Sequence, residues 1–244
     1  LSLTGEGETL YAALAGAFGM AAEAVERVRA DPREARVTIA CTHAFAERWL
    51  LPRMHDFWER HPDICVDHLI SDDGRDFRRA EVDVRIRYGF GAWPDETSER
   101  VFADTIRPVA GAAFAARHAA HRAEEIGALP LLHVDWVDPD WTGWPEFLRR
   151  LRLSGSALRG RRFSSFDAAI HACRSNQGVA LGWDRLLRDE LATGAIVPFT
   201  SLSLPSPGAY YLTWNATRPP REAARVLVDW IAATAAADDE AAAA

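Results

Sequence analysis

The sequence predicts an α/β fold of two doubly wound lobes with a long helix in front of them. Three observations predict it. Short apolar runs alternate with helical patterns almost from end to end, as parallel strands joined by helical crossovers do. The stretch from Val37 to Ser71 reads as strand, helix, strand, and two strands joined by a crossover of that length must be parallel. A chain of 244 residues with this many strand ends suits two lobes better than one barrel.

The leading helix is read from Tyr11, Leu14, Phe18, Ala21, Val25 and Val28, which recur at spacings of 3, 4, 3, 4 and 3. This is an a/d seam, and Asp31-Pro32 cuts it off from the strand–helix–strand unit, so the seam is expected to pair with a second copy. In the central unit, Val37 to Cys41 is the strand and Thr42-His43 the polar junction. The helix starts near Ala44 or Phe45 with Leu50, Met54 and Phe57 on one face, Pro62 ends it, and Ile64 to Ile70 is the next strand. Ligands of open parallel sheets sit outside the carboxyl ends of strands. The first such end is Cys41-Thr42-His43-Ala44, where a helix N-terminus offers unpaired N–H groups.

Further along, Asp76 to Ala80 makes a helical turn and Val82 to Arg87 alternates as a strand that Tyr88-Gly89-Phe90-Gly91 breaks. Arg107-Pro108-Val109 begins a new strand, Ala115 to Arg122 is a short helix, and Leu131 to Val134 is a strand running into the aromatic loop Asp135 to Trp144. A helix covers Pro145 to Leu151. Ser164 with Asp167 is close to a capping box at the head of a helix that reaches Ser175, with Phe166, Ile170 and Cys173 inward. Gly178 to Gly182 is a buried strand with Trp183 at its carboxyl end. Asp184 to Leu191 is a helix, Ala195 to Phe199 and Gly208 to Trp214 are strands, and the last helix is Pro219 to Ala235. The Ala- and acid-rich tail from Ala236 is expected to fray.

The bulk numbers exclude several classes. Hydrophobic residues are 48% and charged residues 26%, as in ordinary soluble domains, and a net charge of −7 is not that of a nucleic-acid-binding surface. There is no run of eighteen apolar residues and no export signal, so a cytoplasmic protein that avoids membranes is expected; the start at Leu1 suggests that an upstream segment exists. Cys41, Cys65 and Cys173 are expected to be buried free thiols, although Cys41 and Cys65 fall on adjacent strands and a bridge between them stays open. No Gly-x-Ser-x-Gly elbow, phosphate loop or dinucleotide fingerprint occurs. His43, His68 and His171 are scattered, His118 and His121 lack a third ligand, and Asp135, Asp138 and Asp140 lack the glycine and distal Glu of a Ca²⁺ loop. Neither an enzyme nor a cofactor nor a metal site is expected.

Several motifs together resemble the LysR-type transcriptional regulators. They are Leu3-Thr4-x-x-Gly7 opening a long helix, Phe45-Ala46-x-x-Trp49-Leu50-x-Pro52-x-Met54-x-x-Phe57, and His61-Pro62-Asp63-Ile64. Next come Val82-Asp83-x-x-Ile86-Arg87-x-Gly89-x-Gly91-x-Trp93-Pro94, Pro108-Val109 and Gly178-Val179-Ala180-Leu181. Phe45 to Trp49 and Arg87 to Pro94 look most like the glycine-cleavage-activator and β-lactamase-regulator subgroup. The resemblance implies a DNA-binding winged helix-turn-helix, here reduced to a remnant over 1–8, and a dimerisation linker helix over 9–32. It also implies an effector domain of periplasmic-binding-protein-like type, with one lobe over 33–107 plus 211–235, the other over 108–210, and a flexible tail over 236–244. A homodimer or homotetramer is implied, with DNA contacted through the missing N-terminal domain. An exported solute-binding protein of the same lobed fold is the alternative, and the seam helix argues against it.

The resemblance places a small-molecule effector between the lobes. Thr42, His43 and Ala44 would form the first-lobe wall, with the polar burden on Thr42 or His43 because many relatives carry a hydroxyl where this chain has Ala44. Ser164 and Ser165 match the second-lobe helix N-terminus, and Tyr210 matches a tyrosine at the return crossing. Nine Trp in 244 residues is high, and Trp136, Trp141, Trp144 and Trp183 fall on or near second-lobe strand ends, with Tyr88 in the first lobe. Helix N-termini favour an anion and aromatic faces favour a cation, so a zwitterion such as an amino acid or a betaine satisfies both.

Overall fold

In the computed structural model the chain is built on one nine-stranded mixed sheet. The structure describes residues 4, 5, 7, 11, 14, 17–21, 35–78, 81–121, 123–153 and 158–243. In the first half, β1 (Ala35–Cys41) lies between β2 (Ile64–Ile70) and β3 (Val84–Gly89) and runs parallel to both. In the second half, β5 (Leu131–Val134) lies between β6 (Gly160–Phe163) and β7 (Val179–Trp183), again parallel to both. Between the halves run two long antiparallel strands, β4 (Glu96–Gly111) and β9 (Leu204–Asn215). β3 pairs with β9, and β7 and the short β8 (Ile196–Pro198) pair with β4. The two halves therefore share one hydrogen-bonded path, β2-β1-β3-β9-β4-β7-β5-β6, rather than forming two separate sheets. Register shifts between Arg100 and Phe102 and between Ala103 and Thr105 mark bulges where β4 bends from one half into the other.

Helices cover the sheet. After β1, α1 (His43–Phe45) passes into a π-turn (Ala46–Leu50), a 3-10 turn (Leu51–Arg53) and α2 (Met54–Arg60). Pro52 is the cause of this uneven path. It has no N–H to give, so the local ladder widens and then tightens, and Arg53 Nη1 takes up the Trp49 carbonyl at 2.8 Å. Leu50, Met54 and Phe57 are fully buried on the face their spacing predicts. The later helices are α3 (Ala112–Arg117), α4 (Trp144–Arg150), α5 (Phe166–Arg174), α6 (Arg188–Ala192) and α7 (Glu222–Ala243). Phe166, Ile170 and Cys173 of α5 point into the core as expected.

Five sequence readings need correction. β3 begins at Val84 and runs through Tyr88 and Gly89, so the break falls two residues later, at Phe90-Gly91. Gly91 has φ +81°, and a Cβ there would meet the Tyr211 ring at 2.9 Å. β4 begins at Glu96, eleven residues before the expected start, because its exposed, charged first half hides the alternation that buries Phe102, Asp104 and Ile106. Ser165, not Ser164, occupies the N-cap of α5, with no side-chain cap, and Asp167 pairs with Arg48 instead of closing a capping box. Cys65 is exposed, and β1 places Arg36 beside it and Cys41 beside Ile70, so all three thiols are free. The tail from Ala236 continues α7 as far as Ala243.

At the front, Thr4 Oγ1 accepts the Gly7 N–H at 3.2 Å, and Gly5, Gly7, Tyr11, Leu14, Phe18 and Ala21 are helical. Tyr11, Leu14 and Phe18 are 65%, 46% and 71% exposed, and Ala21 is also exposed. Val25 and Val28 lie outside the described residues.

The order in α7 beyond Ala236 has a local cause. Asp238 accepts from Trp49 Nε1 at 3.0 Å and Arg53 Nη2 at 2.9 Å, and its other oxygen accepts from Arg188 Nη1 at 2.9 Å. Asp239 pairs with Arg185. Removing the Asp238 carboxylate leaves two arginines and an indole N–H without their acceptor. Asp238→Ala is therefore expected to lower stability by about 1.5–3 kcal/mol in urea unfolding, and a chain ending at Ala236 to lose at least as much.

Candidate functional site

The site forms where the carboxyl ends of β1 and β2 face the N-terminus of α5. Thr42 is the N-cap of α1, with extended backbone (φ −71°, ψ 158°), and its Oγ1 accepts the Phe45 N–H at 3.4 Å. His43 N–H donates to Asp72 Oδ1 at 3.1 Å, and its Nδ1 lies 3.5 Å from Asp72 Oδ2. Arg48 ties this segment to the other half: its Nε reaches Asp167 Oδ1 at 2.7 Å and its Nη1 reaches Glu190.

A narrow pocket, part of it open to solvent, lies between the two segments. Thr42, Ala44 and Asp72 form one wall, and Ser164 and Phe166 the other. The aromatic loop after β5 covers it with Asp135, Trp136, Asp138 and Trp141. Among the described residues three carboxyl groups line this pocket and no basic side chain does.

Beside it the interior is aromatic. Trp141 stacks between Tyr88, at 4.1 Å and 22°, and Trp136, at 4.6 Å and 12°. Trp183 meets Trp136 and Trp141 edge-on at 5.5 and 5.2 Å. Tyr210 packs against Phe45, Tyr88 and Phe102 at 5.0, 5.4 and 4.9 Å.

Of the residues the sequence proposes for ligand contact, Thr42, Ala44, Trp136 and Ser164 line the pocket. The other five do not. His43 turns to Asp72 and is half exposed. Ser165 sits at the helix cap. Tyr88 supports Trp141, with its hydroxyl 2.5 Å from Ser206 Oγ and accepting the Gly208 N–H at 3.2 Å. Trp183 and Tyr210 are fully buried. Trp141, one of the tryptophans the sequence places near second-lobe strand ends, lines the pocket as well, whereas Asp72, Asp135, Asp138 and Phe166 are not among the residues the sequence proposes for it. Asp72 carried a usable signal, because it follows the carboxyl end of β2 just as Thr42 follows that of β1. Among the described residues no cluster of His, Cys, Asp and Glu suits a metal.

The crossing of the halves holds one strongly perturbed group. Asp104 on β4 is buried, and that burial pushes its carboxyl up to about 7, against the backbone N–H donors of Arg185 at 3.1 Å and Thr105 at 2.7 Å. Its Oδ2 and the Tyr210 hydroxyl have no partner among the described residues. Burial, with Asp104 nearby, holds the Tyr210 hydroxyl protonated far above its ordinary range.

Two parallel-stranded halves joined by two crossing strands, with a pocket at the strand ends, define a domain that senses a ligand. The LysR substrate binding domain family matches residues 30–236, and the chain belongs to that family. It is 32% identical over 239 residues to the AhcY transcriptional activator HvrB of Rhodobacter capsulatus, covering 96% of this chain and 78% of that protein. It is 29% identical over 243 residues to the glycine cleavage system transcriptional activator of Escherichia coli, covering 98% and 78%. Its fold is similar to the effector domain of the regulator AmpR of Pseudomonas aeruginosa, with a TM-score of 0.74 and 25% identity, over 86% of this chain and all of that one. It is also similar to full-length AphB of Vibrio cholerae, with a TM-score of 0.64 and 22% identity, over 96% and 81%.

These matches bear out the family and the periplasmic-binding-protein-like fold read from the sequence. LysR-type regulators are not enzymes; they bind small effectors and DNA and form oligomers. Nothing in the comparisons supports an exported solute-binding protein. Among the described residues no helix is long and apolar enough to cross a membrane.

Asp104 makes stability depend on pH with a defined sign. Its folded pKa, about 7, lies above the ordinary 3.8, so the folded chain binds more protons than the unfolded one between these values. Stability from this group is present below the lower value and is lost as pH rises toward the upper one. Asp104→Asn is expected to flatten that decline when urea midpoints are compared across the interval.

Proposed function

We propose that this chain is the effector-sensing and oligomerising part of a LysR-type regulator that works in the cytoplasm, and that the pocket between Thr42–Ala44 and Ser164–Phe166 takes a small cationic or zwitterionic metabolite. The observation that carries the ligand class is the lining: Asp72, Asp135 and Asp138 beside the Trp136 and Trp141 rings, with no basic side chain. Carboxylates and aromatic faces both attract an ammonium group, a well-placed ring contributing about 0.5–2 kcal/mol. The acid end of a zwitterion has its own place, at the Thr42 hydroxyl and the N-terminus of α5 below Ser164. Amino acids and betaines are the class that meets both demands. DNA contact, in this reading, belongs to the family's N-terminal helix-turn-helix.

The lobe limits proposed are 33–107 plus 211–235 and 108–210. The supporting observation is that β4 changes partner near Ile106, from β9 on one side to β7 and β8 on the other. A homodimer or homotetramer is proposed through the seam of Tyr11, Leu14, Phe18, Ala21, Val25 and Val28. Its first three members are exposed large apolar side chains that a partner helix would cover.

Two measurements test these readings. In calorimetric titrations with amino acids, glycine betaine and simple carboxylates, a ligand bearing an ammonium group is expected to bind, and Trp136→Ala to weaken it roughly two- to thirtyfold. Asp72→Asn should weaken it too, and a carboxylate without the ammonium that binds as tightly would overturn the ligand class. In light scattering, Leu14→Glu with Phe18→Glu is expected to shift mass from oligomer to monomer; an unchanged mass would remove the seam from the assembly.

A further inference from the structure

Behind Trp136 lies a second cavity, in the second lobe alone. Val134 and Trp136 line both spaces, so this indole is a wall common to the two. The second cavity is the larger, with about 690 Å³ of empty space, part of it open to solvent. Its chemistry is the reverse of the first. Arg162 and His133 line it, and among the described residues no carboxyl group does.

Its apolar surface comes from adjacent strands and the head of α4. Leu132 on β5, whose register partner on β7 is Ala180, lines it together with Leu181 of β7 and Trp144. Trp144 gives its N–H to the Leu132 carbonyl at 3.0 Å, so it presents only ring to the cavity. The polar groups are differently placed. His133 is 9% exposed and Thr142 is 3% exposed, and both line the cavity. At the mouth, Arg162 gives Nε and Nη2 to Asp135, which leaves Nη1 without a partner among the described residues.

We infer that this cavity is a second ligand site, which takes an organic acid with an apolar or aromatic body. An N–H-only cation, a hydroxyl and an imidazole converge on a space that offers no acidic group, and this set accepts a carboxylate. Burial and the neighbouring Arg162 hold His133 below its usual range, so it is neutral and still donates one ring N–H. The body of the acid would lie on Trp144, Leu132 and Leu181. The two sites are then linked. An acid drawing on Arg162 competes with Asp135, which lines the first pocket, and it leans on Trp136, which lines both. Coupling of this kind is reciprocal, so each ligand alters the affinity of the other by the same factor.

The test is calorimetric titration of the 244-residue chain with phenylacetate and with phenethylamine, which share a ring and differ in charge. Phenylacetate is expected to bind, and phenethylamine not to displace it. Arg162→Gln should weaken phenylacetate by about tenfold or more, and Thr142→Val by less. Asp135→Asn breaks the same ion pair yet keeps the cation, so it should leave phenylacetate binding intact or tighter. Leu158→Trp at the rim should block it by filling space. Absence of phenylacetate binding at millimolar concentration would overturn the inference, as would affinity unchanged in both Arg162→Gln and Leu158→Trp. Binding lost in Ser164→Ala with Thr42→Ala but kept in Arg162→Gln would place the acid in the first pocket. That outcome would overturn this inference and the cationic reading of that pocket together, whereas failure of phenylacetate alone leaves the first pocket untouched.

Discussion

The antiparallel pairing of β4 with β9 is the constraint on which the rest of the molecule depends. Each strand is long enough to be bonded in both halves, β4 to β9 and then β7, β9 to β4 and β3. Two strands crossing the same boundary cannot shift independently without losing ladder bonds. The halves can therefore tilt about the crossing but cannot slide, and the bulges in β4 are the natural place for that tilt. Asp104 sits in this bent segment, within the second register shift. A buried carboxyl group with an unpaired oxygen is costly wherever it is charged, so its presence at the hinge sets a local penalty that the surrounding packing must outweigh.

Away from the crossing, charge holds the halves together. Arg48 follows β1 in sequence and bonds Asp167 and Glu190 in the other half, with its guanidinium 5.6 Å from the centroid of the Phe166 ring. On the far side, Arg185 and Arg188, just beyond β7, meet Asp239 and Asp238 at the end of α7. Arg185 also lies over the Phe102 ring at 4.6 Å. These pairs are partly shielded from water, so they are stronger than ordinary surface ion pairs, and together they resist opening of the cleft more than any one of them would. The aromatic interior between them supplies bulk and a fixed spacing.

Much of this frame was legible in the sequence because it rests on local rules. The apolar run Val37 to Cys41, the spacing of Leu50, Met54 and Phe57, and Pro62 place the first crossover almost to the residue. Where long-range contacts decide, the sequence misleads. Glu96 to Arg100 precedes the strand start that the sequence suggests, because every residue in it is charged or polar, yet pairing with β9 makes it strand. The acidic tail reads as disordered because its reason for order, three partners of Asp238, lies 50, 185 and 189 residues away. The site was half legible for the same reason. Thr42 and Ser164 follow from strand-end and helix-start rules, whereas Trp183 and Tyr210 lie at plausible sequence positions but turn into the core, a choice made by packing.

Packing also determines how this cleft can respond. Trp141 fills the slot between Tyr88 and Trp136, so the two halves already touch through a stack of three rings. Each such contact is worth about 0.5–1.5 kcal/mol beyond the area it buries. A ligand that inserts there must outweigh two of them, a difference well within the reach of one good ammonium–carboxylate contact in a sheltered pocket. A ligand that binds beside the stack without moving it leaves the halves where they are, whatever its affinity, since only a difference in binding between two arrangements can shift their balance. The stack is one place where a ligand can make such a difference. Trp136, with one face on Trp141 and pockets of opposite charge preference around it, is the ring best placed to transmit that difference.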